Sequence, residues 1–352
     1  MNLFTLLPIL LVTFVASTAQ AQSPVSLGAA ESRPMWIFSG SMDFDEEHFY
    51  LVDALNNSLD RYDSHTGALV ASFSSEFFAE VGLTNFSPTY IRRVGEKGNG
   101  QYVLENGNSH FIWLDGETLR PQQEIHLAGV QNHEGVEISA ITTWAVDEDL
   151  ILAFGDLLLP NGKYFSGYIK VPVEQPGTFE VVSPRIPVSS PVRARHYLGH
   201  SFSRSLDLGI ALIEENPRPH LQIVSADEIK EVSLPVPKQF KTTKPWAKWN
   251  SETNTRTRFK DFERASAIVD VFGDSDFIYL VRKAGVAWFL DKIDRETEAL
   301  RTKRLPTADD VAHLVIIPGL DSLVTLQKKE VRSAGDQQIA AFLNIDLESW
   351  FE

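Results

Sequence analysis

From residue 34 onward the chain alternates short apolar runs with polar turns, most clearly in 49–73, FYLVDALNNSLDRYDSHTGALVASF. Phe49, Tyr50, Leu51 and Val52 form a continuous apolar run, the pattern of a strand covered on both faces. Asn56-Asn57 supplies a turn. Leu59 and Tyr62 fall on a second, amphipathic strand, and Ser64-His65-Thr66-Gly67 closes it with a polar turn ending in the residue that accepts positive φ most cheaply. Residues 69–73 make a third strand.

The same plan returns about every 40 to 50 residues, the period of propeller blades. Blade one adds an innermost strand at 35–38, and a link at 76–86 leads to blade two, with strands at 89–94, 101–104, 110–114 and 119–127. Blade three is expected at 138–146, 150–154, 167–173 and 178–182, with an insertion through Leu157 to Gly162. Pro172, Pro176, Pro184, Pro187 and Pro191 mark edges and links, where a missing amide donor is harmless. Blade four reads 196–203, 209–214, 221–224 and 230–234; blade five reads 267–272, 277–281, 286–293 and 300–305. Blade six has only 311–317, 323–327 and 339–345. Its outer strand is expected either from 25–27, which would join the termini in one sheet and leave no open edge, or from 347–351. The expectation is an all-β fold: a single six-bladed β-propeller of four-stranded antiparallel blades over 34–352, after an N-terminal segment at 22–33. A doubly wound α/β fold would need amphipathic helices between strands, and outside 76–81 the pattern holds none.

The apolar stretch 3–15 is too short to span a bilayer and precedes the small-x-small site Ala19-Gln20-Ala21, so 1–21 reads as a cleaved secretory signal. Its n-region departs from pattern in lacking Lys and Arg. The mature protein is expected in the periplasm or outside the cell, with no transmembrane segment after cleavage. The chain has no Cys, which removes disulfides, thiol nucleophiles and Cys-ligated zinc and leaves stability to a large buried core. A net charge of -15 and a pI near 5.1 argue against a nucleic-acid partner, which requires a basic face.

The run Tyr50-Leu51-Val52-Asp53, the Asn turn and amphipathic strand through Tyr62, and Asp63-x-x-Thr66-Gly67 together resemble the repeat of NHL-type and lactonase-like six-bladed propellers. Blade one carries the motif, blades two and five carry part of it, and the others share only the order of strands. The resemblance implies a propeller, and with it either binding and scaffold roles in the bacterial envelope or hydrolases of lactonase type. The latter hold a divalent metal such as calcium in the central channel, through Glu, Asn and Asp at the inner ends of blades. Glu105, Asn106 and Asp156 stand near comparable strand ends, while Asp53 and Asn56 sit where the motif bonds its own turn amides.

Other candidate chemistry is weaker. Asp43, Asp45, Glu46 and Glu47 are acidic, but the glycine of a calcium loop is missing, so they read as a solvated turn. No closely spaced His motif appears; His196 and His200 lie on an expected strand. Gly199-His200-Ser201-Phe202-Ser203 ends in Ser where a nucleophile elbow needs Gly. The strongest compositional break is at 238–264, where eight Lys and Arg stand against three Asp and Glu, interleaved with Phe240, Trp246, Trp249, Phe259 and Phe262. Lys241, Lys244, Trp246, Lys248, Trp249, Arg256 and Arg258 are the binding residues this implies, for an acidic protein or a glycan. The first expectation is a non-catalytic binding or scaffold propeller without cofactor; the alternative is the metal-dependent hydrolase.

Overall fold

A computed structural model describes residues 37–43, 45–94, 100–107, 109–147, 149–187, 201–205, 209–214, 220–224, 229–233, 266–273, 276–284, 287–307, 313–319, 321–330 and 337–352. The chain is all-β, and its strands pair antiparallel in chain order within each sheet. The first sheet holds β1 (Ile37–Met42), β2 (His48–Asp53), β3 (Ser58–Asp63) and β4 (Leu69–Phe73). A short helix, α1 (Ser75–Glu80), leads to β5 (Pro88–Arg93), β6 (Gln101–Asn106), β7 (His110–Asp115) and β8 (Pro121–His126). The third sheet comprises β9 (Glu137–Asp147), β10 (Leu150–Leu158), β11 (Tyr164–Pro172) and β12 (Glu180–Pro187). The fourth has β13 (Ser201–Ser205), β14 (Gly209–Glu214), β15 (His220–Val224) and β16 (Ile229–Ser233). β17 (Ser266–Gly273), β18 (Phe277–Ala284), β19 (Ala287–Asp294) and β20 (Leu300–Arg304) make the fifth, and β21 (His313–Pro318), β22 (Ser322–Glu330) and β23 (Gln337–Asp346) the last.

Among the described residues there are thus five four-stranded blades and one three-stranded sheet, which corrects the expectation of six four-stranded blades. Residues 347–351 do not supply the missing strand. Leu347–Trp350 forms a short helix, α2, because Asp346 caps it, its carboxylate accepting from the Ser349 amide at 2.8 Å. Residues 25–27 lie outside the described residues. So do 1–36, and no helix among the described residues is long and apolar enough to cross a membrane.

The first strands of neighbouring sheets lie side by side: β1 lies against β5 and β21, β9 against β5 and β13, and β13 against β17. The core lies between neighbouring sheets. Phe49, Leu51 and Tyr62 pack on Ile317, Val324 and Phe342; Tyr50 and Val52 pack on Tyr102, Leu104 and Ile112. Trp113 and Phe111 pack on Trp144 and Ile169 across the next boundary, and Tyr279 and Trp288 on Leu343, Leu347 and Phe351 across another. This explains the unbroken apolar runs of the first two sheets, each of which is covered on both faces. Two strands differ from expectation: β1 runs on to Met42, beyond 35–38, and β10, the second strand of its sheet, runs on through Leu157 and Leu158, which read as an insertion in the sequence. Pro184 and Pro187 fall inside β12, the outermost strand of its sheet, where a missing amide donor is best tolerated.

Candidate functional site

The turn between β6 and β7 brings together most of the polar chemistry that the strand ends offer. Glu105 is the penultimate residue of β6, with only 5% of its surface exposed. Its carboxylate accepts from Trp144 Nε1 on the neighbouring sheet at 2.7 Å and from the Ser109 amide at 3.4 Å. Burial nevertheless dominates and pushes the carboxyl up to about 7, because these donors only partly replace water. The neighbouring Tyr90 phenol is raised by burial first and by the Glu105 charge second. Asn106 faces its own turn: its Oδ1 accepts from the Ser87 amide at 2.5 Å and its Nδ2 donates to the Asn85 carbonyl at 3.2 Å. Successive residues of a strand point to opposite faces, so Glu105 and Asn106 are engaged by different partners. Asp156 is buried on β10, paired in register with Ala140 and Ser166.

The acidic turn after β1 is only in part the expected solvated loop, for Asp45 and Glu47 are exposed but Asp43 is not. Asp43 is buried because two partners from different sheets converge on it: Arg61 Nη2 donates at 2.7 Å and the Tyr102 hydroxyl at 2.6 Å. Arg93 Nη1 donates to its backbone carbonyl at 3.1 Å. Tyr102 is raised by burial and then by Asp43, and Tyr50 is pushed up to about 12 for the same reasons in the same order. Asp43, Asp45 and His48 lie close enough to hold an ion together, but the guanidinium of Arg61 already occupies that position, with His48 Nδ1 3.0 Å from it. This network pins the first blade to the second. Asp53 and Asn56 bond their own turn: Asp53 Oδ1 accepts from the Leu55 and Asn56 amides, and Asn56 Nδ2 donates to Asp53 Oδ2 at 2.6 Å.

A third cluster was not visible in the sequence. His110 opens β7 and His126 closes β8, directly opposite in register. Their rings stack with centroids 3.8 Å apart and planes inclined by 16°. Glu124, two residues before His126 and on the same face of β8, has its Oε2 3.0 Å from His110 Nε2. Burial lowers the His110 pKa, and His126 lowers it further. The two histidines lie sixteen positions apart, so no short motif could show them; the register of two expected neighbouring strands was the only available signal.

Lys241, Lys244, Trp246, Lys248, Trp249, Arg256 and Arg258 lie outside the described residues, as do His196 and His200. The strands flanking the first group are described. Ser233 ends β16 opposite His220, and Ser266 starts β17 opposite Ala284, so both anchor points lie at the ends of their sheets that carry the turn from second to third strand.

Neither a protein-family model nor a curated protein matches the chain. Solved structures do. A luciferin-regenerating enzyme is similar at a TM-score of 0.47 and 11% identity, covering 92% of this chain and 96% of that one. The calcium-binding protein regucalcin from Agrobacterium tumefaciens is similar at 0.47 and 10% identity, over 91% and 94%. An exported protein of Bacteroides fragilis gives 0.47 and 10% over 87% and 83%. At this distance the reading of the site rests on the side chains themselves.

Proposed function

We propose that this chain is an exported, non-catalytic propeller that binds an acidic protein or glycan through one face of its disc, using the residues of 238–264. The observation that carries this reading is a charge break at a defined place. Eight cations with interleaved aromatic rings are joined to the strand ends Ser233 and Ser266, on the side of the second-to-third-strand turns, in a chain whose net charge is -15. Rings that stack on sugars and cations that meet carboxylates are a common pairing at such surfaces. Export follows from the apolar stretch 3–15 and Ala19-Gln20-Ala21.

The test is capture on immobilised alginate and polyglutamate as anionic probes. Replacing Lys241, Lys244, Lys248, Arg256 and Arg258 together by Ser should leave the melting curve unchanged and abolish retention. Equal retention of the variant would overturn the assignment.

One observation favours the second reading, a metal-dependent hydrolase of lactonase type with Glu105, Asn106 and Asp156 at a calcium ion: a carboxyl titrating near 7 is suited to proton transfer. Against it, Glu105 and Asn106 are engaged by Trp144, Ser109, Ser87 and Asn85. Calcium-dependent lactone hydrolysis that Glu105→Gln removes would establish the hydrolase; calcium leaving both the melting temperature and hydrolysis unchanged would discard it.

A further inference from the structure

We propose that His110, Glu124 and His126 form a binding site for one divalent transition-metal ion of the zinc class, at the outer corner of the second blade. The coordinating atoms of the three side chains already lie within 4.8 Å of one another. Imidazole lone pairs lie in the ring planes, so one ion about 2.0–2.2 Å from each imidazole nitrogen and the carboxylate oxygen requires the stacked rings to turn out of their near-parallel arrangement about their side-chain torsions. Glu124 and His126 are exposed and free to make that adjustment, while His110 is held half-buried between them and the β6–β7 turn. The backbone sets the arrangement. Direct cross-strand pairing places the two rings side by side, and the two-residue repeat of β8 puts Glu124 on the same face.

The donor set selects the ion. Two neutral imidazoles and one carboxylate suit zinc, cobalt, nickel or copper, whereas calcium takes six to eight oxygen ligands and would find only one residue to supply them. Three protein ligands leave a position open to water. In the metal-free state His110 Nε2 and Glu124 Oε2 share a hydrogen bond. The ion takes the Nε2 lone pair, the ring proton that Nε2 carried moves to Nδ1, and the carboxylate turns from accepting the Nε2–H hydrogen bond to ligating the metal. This site includes neither the Glu105 carboxyl, which faces Trp144, nor any residue of 238–264, so it is tested independently of the reading above.

The test uses tag-free mature protein stripped with a chelator and titrated calorimetrically with zinc, then with cobalt to read its ligand-field spectrum. One ion per chain is expected, with a Kd of micromolar order and a low-coordinate cobalt spectrum. His126→Ala and Glu124→Ala each weaken zinc binding at least tenfold, on the scale of losses typical of metal-site residues. Both positions are exposed, and unchanged melting of the metal-free variants verifies folding. Glu105→Gln should bind zinc as the parent does. Zinc affinity unchanged in His126→Ala and Glu124→Ala, or a parent that binds no zinc at micromolar concentrations, would overturn the site.

Discussion

A carboxyl raised from 4.5 to about 7, as Glu105 is, favours the folded state while it is protonated. Its contribution is fully present below the unfolded value and disappears as the pH rises through the folded one, so stability should fall between roughly pH 4.5 and 7. The size is on the order of 3 kcal/mol. Glu105→Gln keeps an acceptor for Trp144 and removes the titration, so urea unfolding across this range should show a flatter pH profile for the variant. Trp144→Phe takes away a donor that holds the carboxyl down. The variant should lose about 1–3 kcal/mol and titrate higher still, which pH-dependent unfolding would detect. Asp43 is also buried, and Arg61 and Tyr102 supply the partners that make its burial tolerable. Neither arrangement was legible in the sequence, because every partner that decides it lies on another strand.

The turns between third and fourth strands are the best-read elements. Asp63, Asp115 and Asp294 each accept two amides, at the second and third residues beyond, and each carboxyl is held below its usual range chiefly by the Thr three residues on. All of these bonds are local, which is why Asp-x-x-Thr could be recognised without a fold. The inner strands are harder, because their irregularities answer to neighbouring blades. The Ile91 amide, just beyond the bulge of β5, donates to Ser39 Oγ at 3.0 Å, and the Ile141 amide of β9 donates to Ser109 Oγ at 2.9 Å. In each case the serine belongs to the preceding blade. β10 bends against β9 at Gly155, where a Cβ would stand 2.3 Å from the Ala140 carbonyl oxygen. Gly155→Ala should therefore cost about 1–3 kcal/mol in denaturant melts, since backbone rather than a flexible side chain must yield. A variant as stable as the parent would mean that β9 can shift freely.

At the scale of the whole molecule, stability resides in the boundaries between sheets. Phe351, 5% exposed, packs with Tyr279, Trp288 and Leu343, so the last residues of the chain help to hold the fifth blade to the three-stranded sheet. Phe351→Ala should cost about 3 kcal/mol and lower the melting temperature measurably, although it touches no strand pairing. The buried pair Arg282–Asp291, bidentate at 2.6 and 3.1 Å, lies inside one sheet and therefore does not join blades. Short strands, tight turns, a four-strand repeat and the absence of Cys were all determined by the sequence alone, because apolar periodicity and turn bonding are local properties. The tertiary structure alone decided the rest: that 347–351 caps a boundary as a helix and not a strand, that Asp43 is buried, that Glu105 meets Trp144, and that His110 meets His126. Each depends on the register of strands or the apposition of blades, and such contacts between distant residues leave no periodic trace in the chain.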